Sequence, residues 1–530
     1  MSVRTRFAPS PTGYLHIGGV RTALFNWLFT RQRQGQFLLR IDDTDAQRNK
    51  PEALEPILHG FRWLGLTWDE GPDVDGPYAP YFQSQRLPRY QAAVEELLRR
   101  GCAYRDFATT EEIKAERESA EKEKRVFLYS RNWMAETPER IAEFESQGRQ
   151  AVVRLKMPRE GECRFHDQIR GDVAFAWAHE QDHVIQRNDG TCLYHLASAV
   201  DDYDFRITHV IRSEEHLSNT PRQIFIMQCL GYPLPEFAHL PYVAEPGSKN
   251  KLSKRKIAQY LKNAEFKKLY DHGQSIMSAL GQATSAETFN PVIVDFYEQT
   301  GYLPEAIVNY LLLLGWSYDD RREDFTIEEM IREFSLERVN RAPASFDPQK
   351  LFAFQDRYFR ALPVKRKVKM VLPYLQRAGI VSMPPPCEIG PYLTQVIEAA
   401  GDRIKVAGDI IAFEDFFQMD EQLRYDGPEF ARVFAADSAR ELIASFAAGL
   451  ADVEPFTATR LEEFLKQFAT ANERKVGQVV QPVRLAVTGK SVGLGLYETM
   501  VILGKDRTLR RMRLSLARAA GQTANKEVNS

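Results

Sequence analysis

Arg6-Phe7-Ala8-Pro9-Ser10-Pro11-Thr12-Gly13-Tyr14-Leu15-His16-Ile17-Gly18-Gly19 is the stretch whose reading decides the fold. It follows a β-type run over residues 3–8, breaks at two prolines and Gly13, and opens a helix on glycines. Val20, Leu24, Trp27, Leu28 and Arg31 recur at helical spacings, which predicts a helix over residues 18–34. Gly35 ends it and residues 37–41 read as the next strand. Amphipathic helices over 51–64 and 88–100 each open on proline, which suits a first helical turn. Strand and helix in alternation predict a parallel α/β sheet with a ligand crevice at the strands' carboxyl ends. Glycines at a helix start let a ligand approach the backbone, and the N–H groups there favour phosphate oxygens. His16, just ahead of that helix, can donate to the same phosphates. Taken alone, such a turn is a weak signal, and a structural histidine is the ordinary explanation.

The remaining chain bounds the class. At 530 residues, 44% hydrophobic and 27% charged, it is a multidomain globular protein. The most apolar run, Ile307-Val308-Asn309-Tyr310-Leu311-Leu312-Leu313-Leu314, is shorter than the roughly 18–20 residues of a membrane span and reads as a buried helix. No apolar signal core follows Arg4 and Arg6, so a cytoplasmic protein without membrane contact is expected. The five cysteines are scattered, without a Cys-x-x-Cys pair, as in reduced thiols with no zinc cluster. A net charge of -2 leaves any nucleic-acid surface to local basic patches.

Thr109-Thr110-Glu111-Glu112 is a capping-box start to a charged helix, whose charge run reads as a solvated face. Short β-like runs at 151–157 and 172–177 mark an insertion in the sheet domain. The divisions expected are a Rossmann-like α/β domain over 1–107 and 191–256, an α+β insertion over 108–190, and all-α regions over 257–345 and 346–530. Residues 260–300 read as irregular, with 262–291 a surface loop. The tail is basic and helical over 505–518 and fades into disorder over 519–530.

A second signal closes the α/β portion: Gly247-Ser248-Lys249-Asn250-Lys251-Leu252-Ser253-Lys254-Arg255. So many cations in one loop repel one another unless an anion is present, though an isolated basic run is more often a solvated loop. The ordered pair resembles class I aminoacyl-tRNA synthetases. His16–Gly19 matches the His-Ile-Gly-His signature in a His-x-Gly-Gly form, and Lys251–Arg255 matches Lys-Met-Ser-Lys-Ser in a Lys-x-Ser-Lys-Arg form. Leu39-Arg40-Ile41-Asp42-Asp43-Thr44-Asp45, Tyr194-His195-Leu196-Ala197, Val200-Asp201-Asp202 and Thr208-His209-Val210-Ile211-Arg212-Ser213-Glu214-Glu215-His216 are similar to the bacterial glutamyl-tRNA synthetase family. Gly477-Gln478-Val479-Val480-Gln481-Pro482-Val483-Arg484 resembles its anticodon-binding part, so the likeness spans nearly the whole chain.

The resemblance implies ATP-dependent formation of glutamyl-AMP and transfer to the terminal adenosine of tRNA-Glu. Catalysis falls to His16, Lys251 and Lys254, and ATP binding to His16, Gly18, Gly19, Glu215, His216, Val243, Ser253, Lys254 and Arg255. Glutamate binding falls to Arg6, Ala8, Ser10, Asp42, Tyr194, Ser198 and Arg212. Guanidinium forks suit two carboxylates by their bidentate geometry, which supports Arg6 and Arg212 independently. Asp42 replaces the glutamate usual in the family, and Ser198 an asparagine of some relatives. Mg2+ accompanies ATP, no zinc is expected, and a monomer is the default. The insertion is expected to hold the acceptor end, 257–345 to contact the stem, and 346–530 to read the anticodon. Arg403 falls where the family has an arginine linked to rejecting tRNA-Gln, which favours strict tRNA-Glu selection over dual charging. Among rivals, a short paralogue modifying a tRNA base lacks the helical half. A glutamine-specific ligase usually ends in β-barrels, and a non-catalytic paralogue would lose His16 or Lys254.

Overall fold

The structure, a computed structural model, describes residues 2–45 and 49–527. Two compact units emerge: Met1–Tyr270, Ser285–Glu298 and Pro304–Phe354 form the first, and Asp271–Thr284, Gln299–Leu303 and Gln355–Ser530 the second.

In the first unit, strand Arg4–Phe7 pairs in parallel with Gln36–Leu39. Thr208 N–H donates to the Arg4 carbonyl at 3.0 Å, which sets the first strand beside His209–Ser213. That strand edges a sheet ordered Gly171–Ala176, Glu162–Asp167, Glu236–Leu240, His209–Ser213, parallel except for its first pair. Helix Ile17–Gln32 is buried on every side from Val20 to Thr30, with Arg21, Thr22, Asn26 and Thr30 among the buried residues. Asn26 Nδ2 donates to the Ile211 carbonyl at 2.9 Å and ties this helix to the sheet.

The capping box forms: Thr109 N–H reaches Glu112 Oε2 at 2.8 Å, and Glu112 N–H reaches Thr109 Oγ1 at 3.3 Å. Helix Thr110–Lys122 lies beside a small antiparallel sheet ordered Met134–Ala135, Ala103–Asp106, Val152–Leu155, Val184–Gln186. Within 108–190, strands Glu162–Asp167 and Gly171–Ala176 belong to the larger sheet instead. Cys163 and Trp177 pack there into one apolar core with Val210, Ile224 and Phe237.

Residues 262–291 are not a surface loop. They contain the helix Ala264–Ala279, with Phe266, Leu269, Ile276 and Met277 buried along one stripe. The chain then returns to the signature turn: Ile17 N–H donates to the Val292 carbonyl and Val294 N–H to the Leu15 carbonyl, each at 3.0 Å.

The second unit is helical, including Val364–Arg377, Ile389–Ala400, Asp437–Ala451, Ala458–Ala471 and Val476–Thr488. Its last helix, Lys505–Glu527, continues through most of the stretch expected to be disordered, and 528–530 lie outside the described residues. Arg511 is fully buried and donates to Asp420 Oδ1 at 2.7 Å and to the Asp415 carbonyl at 2.7 Å. No helix among the described residues is long and apolar enough to cross a membrane.

Candidate active site

A cavity of about 900 Å³ opens at the carboxyl ends of Arg4–Phe7 and His209–Ser213. It brings together Arg6, Ala8, Ser10, His16, Gly18, Gly19, Asp42, Tyr194, Arg212, Glu215, His216, Val243, Lys251, Ser253, Lys254 and Arg255. Ser198 is not on its wall: it is fully buried, 3.4 Å from Arg40 Nη2. Arg403 lies in the second unit, exposed on the turn Gly401–Arg403.

His16 caps the first helix, its Nδ1 accepting the Gly18 N–H at 2.9 Å. With Nδ1 acting as acceptor, the neutral ring carries its proton on Nε2. Burial, reinforced by Lys254 and Lys251, lowers its pKa from 6.5 to about 3. The helix start itself differs from expectation. Ile17 N–H goes to Val292, Gly18 N–H to His16 Nδ1, and Gly19 N–H to the His16 carbonyl at 2.8 Å. These donors are already bonded, the first by a segment from far along the chain and the other two by His16 itself. Gly18 contributes space: a Cβ there would sit 3.1 Å from His16 Nδ1 and 3.8 Å from the Val243 Cβ.

Lys254 Nζ donates to the Tyr14 carbonyl at 2.5 Å, close over Gly13, whose φ of +142° suits glycine. Burial lowers the Lys254 pKa, with Asp295 acting in the opposite sense. Ser253 Oγ accepts the Arg255 N–H at 3.3 Å and caps the turn Lys254–Lys256. Lys251 and Glu215, read from sequence as separate nucleotide contacts, form an ion pair with each other. Both are exposed, and such a pair is worth only about 0–1 kcal/mol, so a phosphate can displace it.

On the opposite wall, charges alternate. Arg6 Nε and Nη2 grip Asp202 at 2.9 and 3.2 Å, and Arg40 Nη1 reaches the same carboxylate at 2.8 Å. Arg40 Nε and Nη2 then hold Asp42 at 2.6 and 3.1 Å. Burial would raise the Asp202 pKa, but Arg6 and Arg40 outweigh it and hold the group low. Burial wins at Asp42, whose pKa is raised despite Arg40. Each Asp42 oxygen accepts one Arg40 N–H and keeps lone-pair capacity for another donor.

Arg212 is buried and braced by Gln223 Oε1 at 2.7 Å, Thr220 Oγ1 at 2.8 Å and His239 Nε2 at 3.1 Å. Tyr194 OH lies 3.4 Å from His216 Nδ1. Tyr194 also borders a second cavity of about 540 Å³, lined by Arg117, Phe127, Tyr129, Arg154, Arg187 and His195. Among the described residues, no group of three or more His, Cys, Asp or Glu side chains could hold a metal ion.

Arg40, Asp202 and His239 join the site without a role expected from the sequence. Two adjacent acids after the apolar Leu196-Ala197, and a histidine inside Phe237-Ala238-His239-Leu240, are the signals that could have found two of them. In the second unit, burial and the nearby Arg403 charge lower the pKa of Arg484, which marks a local pair of cations.

The chain matches the family "tRNA synthetases class I (E and Q), catalytic domain" over residues 2–288 and 268–353, and "Anticodon binding domain" over 366–516. It is 40% identical over 510 residues to the glutamate–tRNA ligase of Moorella thermoacetica, covering 96% of this chain and 97% of the relative. It is 41% identical over 511 residues to glutamate–tRNA ligase 2 of Rubrobacter xylanophilus, covering 96% of each. Among solved structures, a glutamate tRNA ligase from Elizabethkingia meningosepticum, in complex with its amino acid, superposes with a TM-score of 0.80 at 31% identity. That alignment covers 98% of this chain and 99% of that one. With its parallel-sheet catalytic domain and helical anticodon-binding domain, the chain belongs to the class I glutamate–tRNA ligase family.

Proposed function

We propose that the 900 Å³ cavity forms glutamyl-AMP from L-glutamate and MgATP, and that the glutamyl group then passes to the terminal adenosine of tRNA-Glu. The observation that carries this reading is the convergence of Arg6 and Arg212 with His16 and Lys254 on one cavity. Guanidiniums suit the two carboxylates of glutamate, and a neutral N–H donor with a lysine suits the charge that develops on a phosphate. Asp42 offers the acceptor that an α-ammonium needs.

In the first step a glutamate α-carboxylate oxygen attacks the α-phosphorus, the bond to the bridging oxygen breaks, and pyrophosphate leaves; Mg2+, entering on the ATP phosphates, would neutralise part of their charge. His16 Nε2–H stabilises the α-phosphate oxygens. Lys254 leaves the Tyr14 carbonyl and follows the departing pyrophosphate, while Lys251 exchanges Glu215 for phosphate. Glu215 is then released for the ribose, and Val243, opposite Gly18, meets the adenine. Positioning and charge stabilisation supply the rate, since little covalent help is needed. In the second step the 2′-hydroxyl attacks the glutamyl carbonyl, the carbonyl carbon–oxygen bond to the phosphate breaks, and AMP departs with the hydroxyl proton taken up by its phosphate.

Tyr194, common to both cavities, supports placing the acceptor end in the 540 Å³ cavity. Its arginines suit phosphates, and Phe127 and Tyr129 suit unpaired bases. Arg403, with Arg484 beside it, is the candidate for anticodon discrimination in favour of tRNA-Glu. Glutamate charging of purified tRNA-Glu and tRNA-Gln, with and without Lys254→Ala, tests the assignment. Charging of tRNA-Glu that is lost in the variant supports it, and no charging of either tRNA by the intact chain rejects it.

A further inference from the structure

Arg212, His239 and Asp167 sit near the carboxyl ends of three adjacent strands. Arg212 and His239 are register partners, and Phe237 is the register partner of Asp167. All three side chains are buried.

The Asp167 carboxylate accepts the backbone N–H groups of Ile169 at 3.0 Å, Arg170 at 2.8 Å and His239 at 3.1 Å. Thus pinned, it can only accept from His239 Nδ1, 2.6 Å away, so the imidazole proton must sit on Nδ1. The Nε2 lone pair is then the acceptor for the Arg212 Nε–H at 3.1 Å. Thr220 Oγ1, also 3.1 Å from Nε2, takes the Arg212 Nη2–H at 2.8 Å. An imidazolium or the other tautomer would present an N–H to a guanidinium and push it away. We infer that Asp167 and His239 are positioning residues that act through Arg212, fixing its guanidinium plane for a glutamate carboxylate. Asp167 lies in the stretch between the halves of the catalytic domain, so this stretch shapes the amino-acid site as well as any RNA contact. Burial holds His239 neutral, with a pKa near 4, consistent with the acceptor role.

The inference rests on the reading that Arg212 binds glutamate, and the experiment separates the two. Glutamate-dependent ATP–pyrophosphate exchange, with tRNA present, is measured for Asp167→Asn, His239→Leu, His239→Gln and Arg212→Lys. Asp167→Asn and His239→Leu are expected to raise KM for glutamate by about 10- to 100-fold, the loss of one buried charged hydrogen bond, with KM for ATP within about 2-fold. His239→Gln, whose amide oxygen can accept from Arg212, is expected to recover part of the loss. Equal shifts in both KM values, or none, overturn the positioning role. No change in Arg212→Lys overturns the parent reading and the relay with it. Should a variant fail to fold, 15N NMR of histidine-labelled intact protein gives the tautomer directly. A neutral imidazole hydrogen-bonded through an Nδ1–H protected from solvent exchange, as the fully buried His239 requires and the exposed His166 does not allow, supports the relay, and absence of any such histidine overturns it.

Discussion

His16 Nδ1 accepts the Gly18 N–H at 2.9 Å, so the histidine of the first signature meets the cavity with its Nε2–H. That makes His16 a neutral donor, and substitution should act on the chemical step. His16→Ala is expected to lower kcat for pyrophosphate exchange by about 10²- to 10³-fold, the usual loss on removing one such donor, with KM for glutamate little changed. Because its pKa is near 3, kcat should show no His16 ionisation around the ordinary value of 6.5. A limb near that pH that vanishes in His16→Asn would contradict the assignment.

Buried histidines also set the acid stability. Burial lowers His16 and His195 to about 3, and His216 and His239 to about 4. In the unfolded chain each binds a proton once pH falls below about 6.5, whereas the folded chain does not. Stability is therefore present above that value and lost as pH falls toward about 4, by up to about 1.4 kcal/mol per unit for each group. Urea midpoints at pH 7 and about pH 5 check this: the midpoint should fall, and His239→Gln should lessen the fall. A rising midpoint would contradict it.

Two kinds of ion pair should respond differently. Arg40 stands buried between Asp42 and Asp202, and Arg40→Met leaves both carboxylates short of a partner. The expected cost is about 3–5 kcal/mol, seen as a lower thermal midpoint. Glu215→Gln removes only the exposed partner of Lys251 and should cost no more than about 1 kcal/mol, while raising KM for ATP. Comparable destabilisation in the two variants would refute the distinction.

These contrasts follow how much of the molecule was legible in the sequence. The helix Ile17–Gln32 and the basic loop of Lys251 and Lys254 are local patterns, so periodicity and composition expose them. The Arg40–Asp202 and His239–Asp167 pairs are not, because their partners lie 162 and 72 residues apart and no spacing rule links them. At the helix start the same reason hid only the Ile17 N–H, whose acceptor is Val292; the other two donors bond to His16, which is local. The helix Ala264–Ala279 was readable: Phe266, Leu269, Ile276 and Met277 lie at helical spacings, but the polar residues between them masked the stripe.

Anticodon discrimination is testable at Arg403. Arg403→Ala should raise the kcat/KM for tRNA-Gln relative to tRNA-Glu by about 10-fold, the effect expected of one charged contact to a base. An unchanged ratio would remove Arg403 from the anticodon interface and leave the catalytic assignments intact.

The most direct test of the central claim is transfer of labelled glutamate to purified tRNA-Glu by the intact chain in the presence of MgATP. Charging that needs ATP and falls at least about 100-fold in Lys254→Ala is predicted, as for loss of a major charge-stabilising group. Failure to charge tRNA-Glu, or full activity without the lysine, would contradict the account.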